Sequence, residues 1–377
     1  MFLERLELTD WRNHERLIAE FGSGRVILVG DNAQGKTNLL ESVATLATAQ
    51  SPFARRDPEV VRFGAKDAIV RSVVCKGAHP LRADLCFRVQ GRRAAQLDGM
   101  PCRRMLDWLG HVTVVLFSRT DLDLISGAPQ GRRHLLDQVL RQASPLFHDE
   151  EARWSRLLVQ RNALIRRIQS GEATVAQLEA WDAPFAVAAV AVARRRADLI
   201  RRLAPRAAMW LSHLSGGAEQ LELVYRPGFP GMDEREFPDA RDLVSWAEGA
   251  LARARSQDLV RGHATVGPHR DDWSARLGGR DAAAFASTGQ RRSIVLALKM
   301  AERDLLAEAV GESPILLLDD VLAELDPKRQ EALLEAIGES GQTFVTSTHL
   351  SDVHGAWRVR ADVRLVRPGA LESLDVT

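Results

Sequence analysis

"RVILVGDNAQGKTNLLESVATLATA", residues 25 to 49, joins three patterns that together make a phosphate-binding strand, loop and helix. Val26 to Val29 is a continuous apolar run, as in a strand buried on both faces. From Thr37 onward the periodicity is helical. Between them Gly30-Asp31-Asn32-Ala33-Gln34-Gly35-Lys36-Thr37 fits G-x-x-x-x-G-K-[ST] at every specified position. The glycines let backbone N–H groups turn inward around phosphates, and the helix N-terminus adds partial positive charge. Lys36 is expected to reach the β- and γ-phosphates of ATP, and the Thr37 hydroxyl to ligate Mg²⁺. Gly30 to Asn38 are the expected nucleotide-lining positions.

Such a loop needs a second strand that ends in a carboxylate, and "PILLLDD", Pro314 to Asp320, supplies one. Asp319 emerges at the carboxyl end of the apolar run, where a parallel sheet sets it beside the phosphate loop as a second Mg²⁺ ligand. Asp320 is then placed to orient or deprotonate a water attacking the γ-phosphate. Adjacent acids after a strand also serve as helix caps, but not usually downstream of a phosphate loop. Lys36, Asp319 and Asp320 are the expected catalytic set, and most of the chain separates the first from the other two. The nucleotide-binding core is therefore split, with N- and C-terminal parts meeting around an insertion.

The remaining sequence bounds the function classes. A chain of 377 residues with 45% hydrophobic and 27% charged residues reads as globular and large enough for two or three domains. No apolar run is long enough to span a bilayer, and "MFLERLELTDWRNHERL" lacks signal-peptide organisation, so a cytoplasmic protein without a membrane partner is expected. Cys75, Cys86 and Cys102 are too few and scattered for a disulfide framework or a zinc site. The net charge is +1, yet only Lys36, Lys66, Lys76, Lys299 and Lys328 are lysine; the other 46 of the 51 basic residues are arginine. Lys36 therefore stands against a strong compositional bias.

Residues 2 to 8 alternate as a half-buried strand, and short alternating runs from Ser51 to about Val115 predict an antiparallel sheet flanking the first helix. Helical periodicity begins near Thr120 and persists, with interruptions, to about Arg255. Within it, 151–206 reads as a helical hairpin or short arm, with Pro184 and Pro205 as breaks. A Gly/Pro-rich passage follows from Tyr225, and the chain then returns to strand-like runs. The expected division is 1–120, 121–256 and 257–377: first part of the core, mainly helical insertion, second part of the core.

This split arrangement resembles the ABC-type head domains of SMC-like ATPases. The implied fold is α/β, an ABC-type P-loop ATPase head with a mixed sheet and flanking helices, split by a helical second lobe or short arm. "STGQRR", Ser287 to Arg292, resembles the ABC signature, in which Ser287, Gly289 and Gln290 would serve the nucleotide of a second subunit. "AELD", Ala323 to Asp326, resembles the D-loop, and "TSTH", ending at His349, resembles the switch histidine that senses the γ-phosphate. "DWRNH", Asp10 to His14, resembles a segment whose Arg12 approaches the phosphates and whose Asn13 lies nearby; a polar turn between strands reads equally well. For the glutamine-bearing coupling loop, Gln50 and Gln130 both stand open.

Taken together, "DWRNH", "GDNAQGKTNLLE", "SPFARRDPEVVRFG", "VVLFSRTDLDLISGAPQGRRHLLD", "VGPHRDD", "STGQRR" and "LLLDDVLAELD" resemble the RecF family of bacterial recombination and repair mediators over residues 10 to 326. Departures fall at Arg119 and His349. The resemblance implies an ATP-dependent homodimer that binds single- and double-stranded DNA, above all at gaps and junctions. It further implies cooperation with RecO and RecR in loading RecA, and a weak ATPase that acts as a timer. The alternative is the nucleotide-binding subunit of a membrane transporter, disfavoured because its signature lies much closer to the phosphate loop. A long-armed SMC protein would need heptads over many more turns. Between Glu151 and Arg206 eleven arginines face five acids, which suits either a DNA-tracking surface or a solvated helical face.

Overall fold

The computed structural model describes residues 1–77, 79–231, 240–338 and 341–374, the side chains of 240–242 and 324 excepted. Part of the Gly/Pro-rich passage after Tyr225 and the Glu324 side chain of the "AELD" stretch therefore lie outside what is described. The chain forms two compact units: one of 1–122, 209–219 and 288–377, the other of 123–208 and 220–287.

In the first unit, strands from both ends of the sequence share one sheet. Its order is Ala370–Ser373, Asp362–Arg367, Arg25–Val29, Thr343–Ser347, Ile315–Leu318 and Val114–Phe117. All neighbours run parallel except the last hairpin, 362–373, which is antiparallel. Arg25–Val29 and Ile315–Leu318 are buried along nearly their whole length, which explains their unbroken apolar sequence. A second sheet of six strands is antiparallel and begins with Phe2–Trp11, paired to both His14–Glu20 and Asp67–Lys76.

The helix Lys36–Thr48 is packed against both sheets, and all but two of its residues are buried. A helix buried on nearly every side, with polar residues such as Glu41 paired internally, suits such a place. Leu39, Val43, Trp11, Phe87, Leu317 and Phe344 belong to one continuous core around it. Trp11 and Trp108 satisfy their indole N–H groups on the helix itself, at Asn38 O (2.7 Å) and Leu46 O (2.9 Å), so aromatic bulk is buried without an orphaned donor.

The second unit is mainly helical, with a small antiparallel sheet of Leu221–Arg226, Asp272–Leu277 and Arg280–Asp281. Helices Pro145–Gln169 and Asp182–Leu214 lie antiparallel through residue 208, as the pairs Glu150–Arg195, Trp154–Phe185 and Arg161–Asp182 show. Neither proline breaks the second helix. Pro184 sits in its first turn, where no intrahelical N–H bond is lost, and Pro205 lies inside it on an exposed face. Burial of Leu199, Ile200, Leu203 and Ala207 around Pro205 offsets the missing hydrogen bond.

"GPHRDD", 267–272, organises this unit. The fully buried Asp271 accepts from Tyr225 Oη (2.6 Å), Gly228 N (2.7 Å) and Arg196 (2.9 Å), while Arg196 also forks onto Asp137 at 2.8 and 2.9 Å. Arg132 forks onto Asp272 at 2.6 and 2.9 Å. Asp271→Asn turns one acceptor into a donor facing a donor, so it should destabilise this unit by about 2 kcal/mol. Urea unfolding followed by tryptophan fluorescence checks this; an unchanged midpoint contradicts it.

Candidate functional site

The phosphate loop is held open by backbone conformations that suit glycine. Gly30 and Gly35 have φ of 156° and 105°, and a Cβ at Gly30 would lie 2.8 Å from Val366 O. Gly35 is the left-handed cap of the helix that follows, so the first helical N–H groups are left for a ligand. Lys36 is buried and folds back over the loop, its ammonium donating to Gly30 O (2.6 Å) and Asp31 O (3.0 Å). Asp31, Asn32 and Ala33 are exposed, and Gln34 is half-buried.

Asp319 and Thr37, 282 residues apart in sequence, meet directly. The threonine hydroxyl is 2.9 and 3.1 Å from the two carboxylate oxygens. Parallel pairing explains the meeting: Ile315–Leu318 and Arg25–Val29 flank Thr343–Ser347, so the ends of all three strands open toward one edge. The central strand contributes Thr346, whose hydroxyl donates to Asp319 (2.8 Å) and accepts from Asp320 N (2.8 Å). Burial raises the Asp319 carboxyl above its ordinary range, and the two threonine hydroxyls only partly counter it. A hydroxyl and a carboxyl that converge at one point make a fitting oxygen donor pair for a hard divalent cation, whose charge would offset the burial that disfavours the carboxylate.

The raised value has a sign that can be tested. Between its unfolded and folded pKa the native Asp319 holds more protons than the unfolded one, so its contribution to stability falls as pH rises through the folded pKa. Asp319→Asn should remove that fall, so the apo melting temperature of the variant should not drop with rising pH as that of wild type does. Thermal melts of both proteins from pH 4 to 8 check this; parallel pH profiles would contradict it.

Asp320 adopts a left-handed conformation, φ 55°, which turns its side chain out of the strand direction. Its carboxylate lies 3.7 Å from the Arg119 guanidinium. Arg119 follows Phe117 and Ser118 at the end of the edge strand, whose Phe117 O accepts from Asp319 N (2.9 Å). Asp121 fixes that loop by accepting from Ser118 N (2.7 Å) and lying 3.7 Å from Lys299. Burial lowers the Lys299 ammonium, but Asp121 and Glu302 outweigh it, so its pKa ends above the ordinary value. The sequence marked Arg119 as a departure but assigned this loop no role at the site. Within the first unit, Ser118 and Arg119 stand beside the two acids. The signal was Lys299, the second buried lysine in a chain that otherwise uses arginine.

Arg12 has φ 52° and forks onto the buried Glu41 at 2.6 and 2.8 Å, with Glu59 O as a third partner (2.7 Å). Asn13 accepts from Asn38 Nδ2 at 2.8 Å and reaches Ala33 O at 3.4 Å, tying the "DWRNH" turn to the phosphate loop. Ser287 is exposed and closes the second unit; Gly289 and Gln290 lie in the first turn of the helix Thr288–Val310. Gly289 O accepts from Ser293 and Arg329. His349 is exposed just beyond Thr343–Ser347, and its carbonyl accepts from Ser347 Oγ (2.9 Å). Asp326 caps the helix Pro327–Ile337 through Arg329 N (3.1 Å).

Among the eleven arginines of 151–206, Arg161 and Arg196 are buried and spent on internal acids. Arg195 pairs with Glu150, and Arg201 with Asp198. The local positive excess is therefore partly structural.

A largely parallel sheet whose phosphate loop and carboxylate strand come from opposite ends of the chain is the fold of an ABC-type ATPase head. SMC heads share this fold, with TM-scores of 0.55 and 0.56 at 16% and 17% identity. No protein-family model matches the chain. It is 43% identical over 375 residues to the DNA replication and repair protein RecF of Synechococcus sp. (strain JA-3-3Ab), covering 98% of this chain and 97% of that one. RecF of Gloeobacter violaceus (strain ATCC 29082 / PCC 7421) is 42% identical, covering 99% of each. A solved structure of the recombination mediator protein RecF-ATP in the RecFOR pathway matches with a TM-score of 0.90 at 27% identity, covering 99% of this chain and 98% of that one. The chain belongs to the RecF family.

Proposed function

We propose that this protein is an ATP-dependent DNA-binding mediator of recombination and repair, which closes as a homodimer on ATP and reopens after slow hydrolysis. The observation that carries the reading is the junction of Lys36, Thr37 and Asp319 at one sheet edge, in a chain whose relatives bear repair names. Those relatives favour it over a transporter's nucleotide-binding subunit.

In the proposed site the N–H groups from Gly30 to Asn38 cradle the phosphates, and Lys36 leaves its carbonyl partners for the β- and γ-phosphates. Thr37 and Asp319 would hold Mg²⁺, which when bound neutralises phosphate charge. Asp320 orients the attacking water, with the Arg119 guanidinium 3.7 Å from its carboxylate. Arg12 and Asn13 brace the loop from the "DWRNH" turn. Ser287, Gly289 and Gln290 serve the nucleotide of the partner, and His349 senses its γ-phosphate. Two nucleotides shared between two heads make ATP both ligand and clamp.

The proposed DNA target is a duplex bordering a single-stranded gap, with RecO and RecR as partners and RecA loading as the outcome. Fluorescence anisotropy of a labelled gapped duplex, with ATP, ADP or no nucleotide, tests this. Tighter binding with ATP than with ADP is expected. Equal binding under all three conditions overturns the ATP-dependent part, and no binding overturns the DNA part.

A further inference from the structure

His14 begins the strand His14–Glu20 and is fully buried. Its ring is held from both sides. Gly369 N donates to Nδ1 at 3.2 Å, and Nε2 lies 3.2 Å from Gly35 O. A ring nitrogen that accepts from an N–H carries no proton, so the proton sits on Nε2 and is donated to the Gly35 carbonyl. Burial also holds the imidazole below its ordinary pKa, which keeps it neutral.

The contact with Gly35 is close as well as polar. A Cβ at that glycine would lie 2.5 Å from Nε2 and 2.7 Å from Asn13 Oδ1. At the other end of the loop Gly30 abuts Val366 O, which belongs to the same hairpin as Gly369. The hairpin 362–373 thus buttresses the phosphate loop twice: through its own backbone at Gly30, and through the imidazole at Gly35.

We infer that His14 is a positioning residue for the nucleotide loop, a neutral imidazole that fixes the Gly35 peptide and ties it to the turn at Gly369. The inference rests on the reading of this loop as the ATP site. The Gly35 carbonyl and the Lys36 N–H belong to one rigid peptide plane, so holding the first aims the second at the phosphates. Losing the ring's two bonds removes the acceptor of the half-buried Gly369 N–H and leaves the Gly35 carbonyl held only by Leu39 N (2.8 Å), so the plane is less firmly fixed.

The test compares wild type, His14→Phe, His14→Gln and Lys36→Met in steady-state ATP hydrolysis and in binding of a fluorescent ATP analogue, with apo melting curves alongside. His14→Phe keeps the volume and removes both bonds; the expected result is a KM raised about 10-fold with a much smaller change in kcat. His14→Gln places an amide N–H near Nε2 and should recover most of the loss. Long-range ¹H–¹⁵N spectra of histidine-labelled wild type should show the Nε2–H form for this ring, a readout that stands even where His14→Phe does not fold. Wild-type affinity in His14→Phe, with Lys36→Met defective, overturns the inference and leaves the ATP site in place. Full binding in both variants overturns the ATP-site reading itself. An Nδ1–H tautomer, or a His14→Gln defect as large as that of His14→Phe, also overturns the inference.

Discussion

Lys36→Met is expected to lower ATP affinity by about 1000-fold, the equivalent of two charge-assisted hydrogen bonds to phosphate. Methionine keeps most of the aliphatic stem, so the helix and the core beneath it should persist. What is lost is the ammonium that now bridges Gly30 O and Asp31 O. Those carbonyls belong to the loop rim, and the exposed Asp31 side suggests that water can replace the lysine there. Equilibrium binding of a fluorescent ATP analogue, with a melting curve to establish folding, measures the effect. A folded variant that binds like wild type would remove the phosphate loop from the account.

Asp320→Asn should slow hydrolysis about 1000-fold while leaving ATP affinity within a few-fold of wild type, the scale for loss of a general base. Asparagine suits the test because it tolerates the left-handed backbone that Asp320 adopts, so the chain need not shift. Loss of the Arg119 pair matters little, because Arg119 is 63% exposed and solvent screens it. ATP-bound dimers of this variant should outlast those of wild type. Single-turnover phosphate release measures the rate, and an undiminished rate would assign the water to another group.

The chemistry-bearing strands were legible because each is a fixed local pattern: an apolar run that ends in glycine or in paired acids. Their meeting followed from logic rather than pattern, since a phosphate loop without a carboxylate partner is incomplete. Strand order was not legible. Nothing local to Thr343–Ser347 says that it lies between the two functional strands, or that Val114–Phe117 closes the edge, because parallel pairing is set by distant contacts.

Two further features escaped for different reasons. Pro205 reads as a break, yet the helix runs through it because apolar neighbours on the buried face outweigh one hydrogen bond. "GPHRDD" is distinctive as a string, but its role as a buried ionic centre depends on Arg196, Asp137 and Tyr225, which no spacing rule connects. The roles of the Arg119 loop and of His14 were hidden in the same way, since each acts through residues far away in sequence.

The central claim is that ATP is shared between two heads. Sedimentation velocity of the purified protein, without nucleotide and with a slowly hydrolysed ATP analogue and Mg²⁺, addresses it most directly when Lys36→Met is run beside wild type. The expected result is monomer without nucleotide, dimer with the analogue, and monomer throughout for Lys36→Met. A wild-type protein that binds the analogue and remains monomeric at every concentration would contradict it.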